Sequence, residues 1–371
     1  MAGALSTLSI DPHSELGIAA QIRAGIAFRV AEGELSSGQR LPSLRDLAAQ
    51  LGVNVNTIRA AYTELERDGL VRTRHGVGTV VLAASPTRLP AGVRPLGVNT
   101  VAVVIGGLDP FYLGLLRGIE DVAAERGTLV LIAASSPPMR SEAILRRLIA
   151  RGVDGIIAVS VGGLDNEAKS RETGHVGLPP IVYVDQPERR GHVLLFDGRG
   201  AGYTATQHLC DHHHERVGII TAPRSWPNVY EVYKGYVDAL EATGRTLDPD
   251  LVAEVDRFTL EAGRLGLAQL LELPHPPSAV FAAGEVLALG ALQEAHARQL
   301  KVPGQIALCG YTDSPTATLV QPPLTMVSVP AREIGIRAMQ TLADLIQGKT
   351  PRPRRTTLPV ELVVRQSCGH H

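Results

Sequence analysis

The chain is short of cysteine, of aromatic side chains, of charge imbalance and of long apolar runs, and each shortage closes off a class of function. Its three cysteines, Cys210, Cys309 and Cys368, lie far apart. They are too few for a disulfide framework or a cysteine-rich zinc site, so the expected setting is a reducing cytoplasm. Lys and Arg total 36 against 37 Asp and Glu, a net charge of −1. That excludes a histone-like polycation but allows a small DNA-reading module inside a neutral chain. No run of about 18 uncharged apolar residues occurs, so no membrane span is expected. The opening residues, MAGALSTLSIDPHSEL, have no basic stretch leading into an apolar one, so no secretory signal is expected. Motifs of catalysis are also missing. Gly106-Gly107 is not part of a G-x-G-x-x-G turn, and neither a P-loop nor a G-x-S-x-G elbow is found. Lys169, Lys234, Lys301 and Lys349 are the only lysines, and none stands in a Schiff-base context. Neither a catalytic residue nor a cofactor is expected.

What is present is a chain of 371 residues, 44% hydrophobic and 20% charged, enough for a sizeable core. At roughly 100–200 residues per domain, two or three domains fit. Residues 83–99, AASPTRLPAGVRPLGVN, hold Pro86, Pro90 and Pro95 without apolar periodicity and read as a semi-stiff linker. They divide a head, 1–82, from a body, 100–371. In the head, Leu16, Ala19, Ile22, Ile26 and Val30 recur at near-helical spacing, and Gly33 stops the run. Ser43 caps a second short helix, with Asp46 three residues on, and Gly52 ends it. Asn54 caps a third, whose apolar face is Ile58, Ala61, Tyr62 and Leu65 and whose stop is Gly69. So tight a connection between two helices makes a helix-turn-helix. LVRTR, the turn HGVG and TVVL then read as a two-stranded wing.

The run from Leu41 to Val81 resembles the DNA-binding domain of GntR-type bacterial transcription regulators. The likeness is carried by LPS-x-R, by N-T-I-R at the third helix, by L-x-x-x-G-L and by G-x-G-T-V in the wing. Val55 and Asn54 depart from the arginine and serine common there. A recognition helix entering the major groove presents Val55, Asn56, Thr57 and Arg59 to base edges. Ser43 and Arg45, at the start of the preceding helix, suit phosphates. The acid-free wing adds Arg72, Arg74, His75 and Gly76.

Beyond the linker, apolar runs at Leu129–Ala134, Gly155–Val159, Ile181–Val184, Val193–Phe196, Val217–Thr221, Ala279–Ala282 and Ile306–Gly310 alternate with helical patterns. Alternation of this kind predicts βαβ units, parallel sheets and two doubly wound lobes flanking a cleft. The segments DPFY, RGVDGII, PPSAVFAAGEVLALGAL, KVPGQIALCGYTDSP and PPLTMVSVPAREIG resemble the effector-binding domain of LacI-type repressors and periplasmic sugar-binding proteins. The expected fold is a winged helix-turn-helix followed by a two-lobed α/β, periplasmic-binding-protein-like domain. A GntR-like head on a LacI-like body resembles the arabinose-responsive AraR type of repressor.

Open α/β sheets bind ligands beyond the C-terminal ends of their strands. On that rule Asp109, Phe111, Ser135, Ser160, Asp185, Asp197, Trp226, Tyr230, Glu285 and Asp313 are expected near the cleft. Trp226 has two readings, a face for a sugar or heterocycle and a core plug. Against the resembled family, Val232 replaces an arginine, Phe196-Asp197-Gly198 a VDN ending and Gly284-Glu285 an Asn-Asp pair. Thr312 stands where an aspartate is usual, and Val329 where a polar residue is frequent. The arginine missing at Val232 and the apolar Val329 remove donors suited to carboxylate or phosphate, so a neutral or cationic effector, with a simple sugar as the first candidate, is expected. Cys210 and His212 to His214 are read as a helix closure, and no metal is expected. The implied function is a homodimeric repressor on a palindromic DNA operator, switched by a small-molecule effector and without membrane contact. Two rivals are a solute-binding protein and an enzyme with a fused regulatory head.

Overall fold

The computed structural model describes residues 10, 17–31, 35–74, 78–82, 100–107, 110–134, 141–160 and 179–369. The expected linker, together with His75, Gly76, Asp109 and Ser135, lies outside the described residues. The chain divides into two compact units: Met1–Gly106 with Ala123–Ile156 and Val161–Ile181, and Gly107–Val122 with Ile157–Ser160 and Val182–His371.

In the first unit, α1 (Ile18–Ala31), α2 (Leu44–Leu51) and α3 (Val55–Arg67) precede the strands β1 (Val71–Arg74) and β2 (Gly78–Val81). Ile22, Ile26, Leu47, Ile58, Ala61, Tyr62 and Leu65 meet in one buried cluster with Val71 and Val81. The helix-turn-helix is fixed by its caps. Ser43 Oγ accepts from the Asp46 N–H at 3.2 Å and donates to the Asp46 carboxylate at 2.6 Å. Gly52 turns the chain out of α2 at φ 64°, and Asn54 Oδ1 takes the Asn56 N–H at 2.8 Å. Tyr62 then donates to the Pro42 carbonyl at 3.0 Å, which sets α3 against the entry to α2. The hairpin pairs Arg72 with Val80 and Thr73 with Thr79. It gains a third, unforeseen strand, because Gly38–Leu41 bonds to the free edge of β2 and pairs Arg40 with Val80.

The body follows in the order β3 (Thr100–Ile105), α4 (Pro110–Glu125), β4 (Leu129–Ala134), α5 (Ser141–Ala150) and β5 (Gly155–Val159). Every residue of β3 is buried, as expected of an unbroken TVAVVI run in a parallel sheet. Its partner β4 lies parallel, with Thr100 opposite Leu129 and Ile105 opposite Ala134.

Next come β6 (Ile181–Val184), β7 (His192–Phe196), α6 (Gly198–Asp211), β8 (Val217–Thr221), α7 (Pro227–Ala242) and β9 (Val252–Glu254). They are followed by α8 (Leu260–Leu271), β10 (Ala279–Ala282), α9 (Glu285–Ala297), β11 (Ala307–Thr312), α10 (Thr316–Leu319) and β12 (Thr325–Ser328). Last are α11 (Ala331–Ile346), β13 (Arg355–Leu358) and β14 (Glu361–Val363). Within the second unit β6, β7 and β13 run parallel. A separate six-stranded sheet has the order β14-β12-β11-β10-β8-β9.

In that sheet β9, β8, β10, β11 and β12 are parallel neighbours, as expected, and β14 joins the edge antiparallel to β12. Helical crossovers force parallel pairing. Between β13 in one sheet and β14 in the other stand only Pro359 and Val360, so the chain passes directly across. Helices α6 and α7 pack backbone to backbone. A Cβ at Gly202 would run into the Val232 carbonyl, and one at Gly235 into the Arg199 carbonyl.

Candidate DNA interface and effector cavity

Several basic side chains stand among the exposed residues of the winged helix. Arg45 at the start of α2, and Arg72 and Arg74 on β1, are exposed. None has a carboxylate partner among the described residues. Strand alternation puts Arg72 and Arg74 on one face, opposite the buried Val71, and register adds Arg40 across Val80. Three arginines therefore share the outward face of the wing. Arg40 escapes sequence reading because its strand is a single bridge pair. The only signal was its place directly before Leu41-Pro42-Ser43.

On α3, Asn56 and Arg59 are exposed, and the Arg59 guanidinium donates to Asn56 Oδ1 at 2.6 Å. Both carry the bidentate chemistry suited to base edges, and they hold one another. Thr57 is half-buried, and Val55 packs on the head core. Ser43 spends its hydroxyl on capping α2. The wing is braced to α3 through Glu66, whose Oε1 takes the Thr73 N–H at 2.8 Å.

A cavity of about 270 Å³ opens in the second unit, beyond β6 and β7 on one side and beside α7 and β11 on the other. Asp185 and Asp197 stand on its wall with Asn228, Glu231, Tyr311 and Arg355. Asp185 is the centre of its polar network. Its Oδ2 accepts from Asn228 Nδ2 at 2.8 Å and from Ser160 Oγ at 3.1 Å. The first of these bonds ties the loop after β6 to the helix after β8. Burial pushes the Asp185 carboxyl up to about 6, against the lowering effect of the two hydrogen bonds, while the Glu188 charge adds to the rise. Ser160 and Asp185 both have left-handed backbones, at φ 48° and 55°, a conformation that costs energy and recurs at ligand sites. Asp197 caps α6 through the Gly200 N–H at 2.8 Å. The Tyr311 phenol is raised by burial and by the nearby Asp185 and Asp197 carboxylates.

The structure brings only some of the expected cleft residues together. Asp185 and Asp197 line the cavity. Ser160 reaches it through Asp185, and Phe111 through an edge contact with the lining Phe196 at 5.5 Å. Trp226 lies behind the lining Phe258, ring centroids 6.1 Å apart. Three others stand away from this cavity. Tyr230 is exposed and stacks on Tyr233, since α7 turns Asn228, Glu231 and Val232 inward and leaves position 230 on another face. Glu285 is buried and accepts the Ser314 hydroxyl at 2.5 Å, bracing two loops rather than facing the cavity. Asp313 has both oxygens engaged by Arg365, at 2.8 and 2.9 Å.

Asn228 was legible in principle. Val232 stands out in the sequence as a departure, and one helical turn back from it stands Asn228. Arg355 and Thr357 lie on β13, in a proline-flanked polar segment that carries no apolar alternation. The run Cys210 to His214 closes α6 and loses its apparent unity. Cys210 is buried, His214 Nδ1 pairs with Ser278 Oγ at 2.9 Å, and Arg245 donates to the Cys210 and His214 carbonyls.

Comparison with known proteins follows this division. Residues 18–81 match bacterial regulatory proteins of the gntR family, and residues 206–368 a periplasmic binding protein-like domain. The HTH-type transcriptional repressor CytR of Escherichia coli (strain K12) is 31% identical over 330 residues, covering 88% of this chain and 96% of CytR. The HTH-type transcriptional regulator CelR of Thermobifida fusca is 30% identical over 341 residues, 89% of this chain and 99% of CelR. A solved CelR–cellobiose complex matches with a TM-score of 0.66 and 28% identity, over 88% of this chain and all of that one. Both curated relatives are regulators of transcription rather than enzymes. Similarity of this extent shows the family: the chain belongs to the HTH-type transcriptional regulators of bacteria, with a gntR-family domain ahead of a periplasmic binding protein-like one.

Proposed function

We propose that this regulator is a cytoplasmic homodimeric repressor, divided into a DNA-binding head at 1–82, a linker at 83–99 and an effector-binding body at 100–371. The observation that carries the DNA half is the set of exposed arginines Arg45, Arg72 and Arg74 without carboxylate partners among the described residues, beside the Asn56–Arg59 pair on α3. Asn56, Thr57, Arg59 and the edge of Val55 read bases, while Ser43, Arg45, Arg72, Arg74, His75 and Gly76 hold the backbone. Two heads meet a palindromic operator with half-sites about 10 bp apart or a multiple of that. Leu129 and Ile132, 46% and 54% exposed on β4, support a surface for the second copy.

The effector occupies the cavity at Asp185 and Asn228. Acceptor-only carboxylates at Asp185, Asp197 and Glu231 suit hydroxyl or amine donors. Of the arginines on the same wall, Arg199 is held by Asp238 and Arg355 donates to the Pro187 carbonyl at 3.0 Å. A neutral or cationic metabolite is therefore favoured over a carboxylate or phosphate, and the CelR–cellobiose complex makes sugars the first class to try. Ligand binding changes the Asp185–Asn228 tie between the cavity walls and with it operator affinity. Thermal-shift screening of neutral, cationic and anionic metabolites tests this reading, because a ligand of the folded state raises the melting temperature. A neutral or cationic hit that also releases operator DNA supports it. Hits confined to phosphorylated compounds contradict it.

A further inference from the structure

At the far end of α6 from the cavity stand His208, in the last turn, and the C-cap residue His212, four residues on. Beside them comes Cys368, delivered by the segment after β14. His208 Nε2 lies 3.1 Å from Cys368 Sγ, and the two imidazole rings meet edge to face at 4.7 Å. One donor atom from each of the three residues lies within 4.8 Å of the others. The convergence is built, not incidental. Ser367 Oγ donates to the Leu308 carbonyl at 2.6 Å and accepts the Thr325 N–H at 2.8 Å, which fixes the residue before the cysteine. Gly369 leaves at φ 145°, so close to His212 that a Cβ there would sit 3.2 Å from Nδ1.

We propose that His208, His212 and Cys368 form a zinc(II) site that clamps the C-terminal segment to α6. A hydrogen-bonded tether needs one imidazole beside the thiol, whereas two converge here, with no carboxylate in the set. Tetrahedral zinc holds sulfur at about 2.3 Å and imidazole nitrogen at about 2.0–2.1 Å, which places donors roughly 3.3–3.6 Å apart. The observed separations bracket that range, so closure takes side-chain shifts of about 1 Å or less. Thiolate and imidazole are the donors that zinc prefers, over the oxygen sets of magnesium and calcium. Thr325 supplies the outer support. Its Oγ1 accepts the Arg365 N–H at 2.9 Å, which leaves its own hydrogen for Cys368 Sγ at 3.0 Å. On binding, zinc replaces the thiol proton, which passes to solvent, and no electron is transferred. A fourth position remains for water.

The test uses the full chain, reduced and freed of metal by a chelator, and titrated with cobalt(II). One equivalent is expected to bind with a thiolate-to-cobalt charge-transfer band and strong visible bands of tetrahedral cobalt, and one equivalent of zinc(II) should abolish both. Cys368→Ser should lose the charge-transfer band, with folding checked by far-ultraviolet circular dichroism. Should that variant unfold, His208→Gln with His212→Gln leaves the thiol in place and should lose the tetrahedral bands. Deleting His370 and His371 should keep the charge-transfer band. Absence of the band in the wild type, its persistence in Cys368→Ser, or its loss on deleting His370 and His371 alone overturns the assignment.

Discussion

Replacing Asp185 by asparagine removes a carboxylate that the fold holds largely out of water, and the consequence for stability can be worked out. Its ordinary value of 3.8 is pushed up to about 6 by burial. A raised acid value means that the folded state prefers the protonated form. Stability from this group is therefore full below about pH 4 and is lost as pH rises through about 6. The rise of about 2 units corresponds to about 3 kcal/mol of destabilisation at neutral pH, at about 1.36 kcal/mol per unit. Asparagine carries no such penalty, and because both bonds end on one oxygen its Oδ1 in that place still accepts from Asn228 and Ser160. What is forfeited is the charge assistance of the two bonds, at about 1–2 kcal/mol. Asp185→Asn is expected to be more stable than wild type by about 1–2 kcal/mol at pH 8. The difference should shrink by roughly 1.4 kcal/mol between pH 8 and pH 5, as linkage between values of 3.8 and about 6 requires. Urea unfolding at several pH values, followed by the fluorescence of the single Trp226, measures both quantities. A variant less stable than wild type throughout, with a pH-independent difference, would refute burial as the cause. The same variant should respond more weakly to effector, since the charged acceptor on the cavity wall is gone.

Asp313→Asn should act on stability rather than on effector response, costing about 2–4 kcal/mol by leaving the part-buried Arg365 guanidinium without its ionic partner; chemical denaturation reads the cost. Arg72→Ala and Arg74→Ala should weaken binding almost equally across DNA sequences and reduce the salt slope by about 0.9 for each phosphate no longer neutralised. Arg59→Ala should lower operator affinity by about 1–3 kcal/mol with the melting temperature unchanged; an unaltered footprint at matched salt would exclude α3 as the reading helix. Gly235→Ala should force α6 from α7, because the new methyl meets the Arg199 carbonyl, and lower stability by about 1–3 kcal/mol.

The elements written most plainly in the sequence are those fixed by local chemistry. Ser43, Gly52, Asn54 and Gly69 mark helix ends through caps and left-handed turns, and α2 and α3 start and stop where those residues dictate. Unbroken apolar runs likewise give β4, β5, β6 and β8 to the residue. Strands whose stability comes from position rather than composition were hidden. The Gly38–Leu41 strand, β13 and β14 are short, the first two mostly polar, and they exist because a neighbouring edge supplies hydrogen bonds. For the cavity, the rule that ligands gather beyond strand ends found Asp185 and Asp197 but also Asp313 and Glu285. Two residues of the same type at equivalent strand ends diverge because Arg365 reaches Asp313, whereas Asp185 is met by the neutral Asn228 and Ser160. Partners some 50 residues apart leave no local signature. His208 and Cys368 show the same limit, since 160 residues separate them and only the fold brings them together.

The central claim is that α3 and the wing read a specific DNA sequence, and selection from random duplex DNA by the purified full-length chain tests it most directly. Enrichment of a two-fold symmetric motif is expected, with half-sites about 10 bp apart or a multiple of that, and Arg59→Ala should lose the motif while retaining salt-sensitive, unspecific binding. Failure of the wild type to enrich any motif, or enrichment of the same motif by Arg59→Ala, would contradict it.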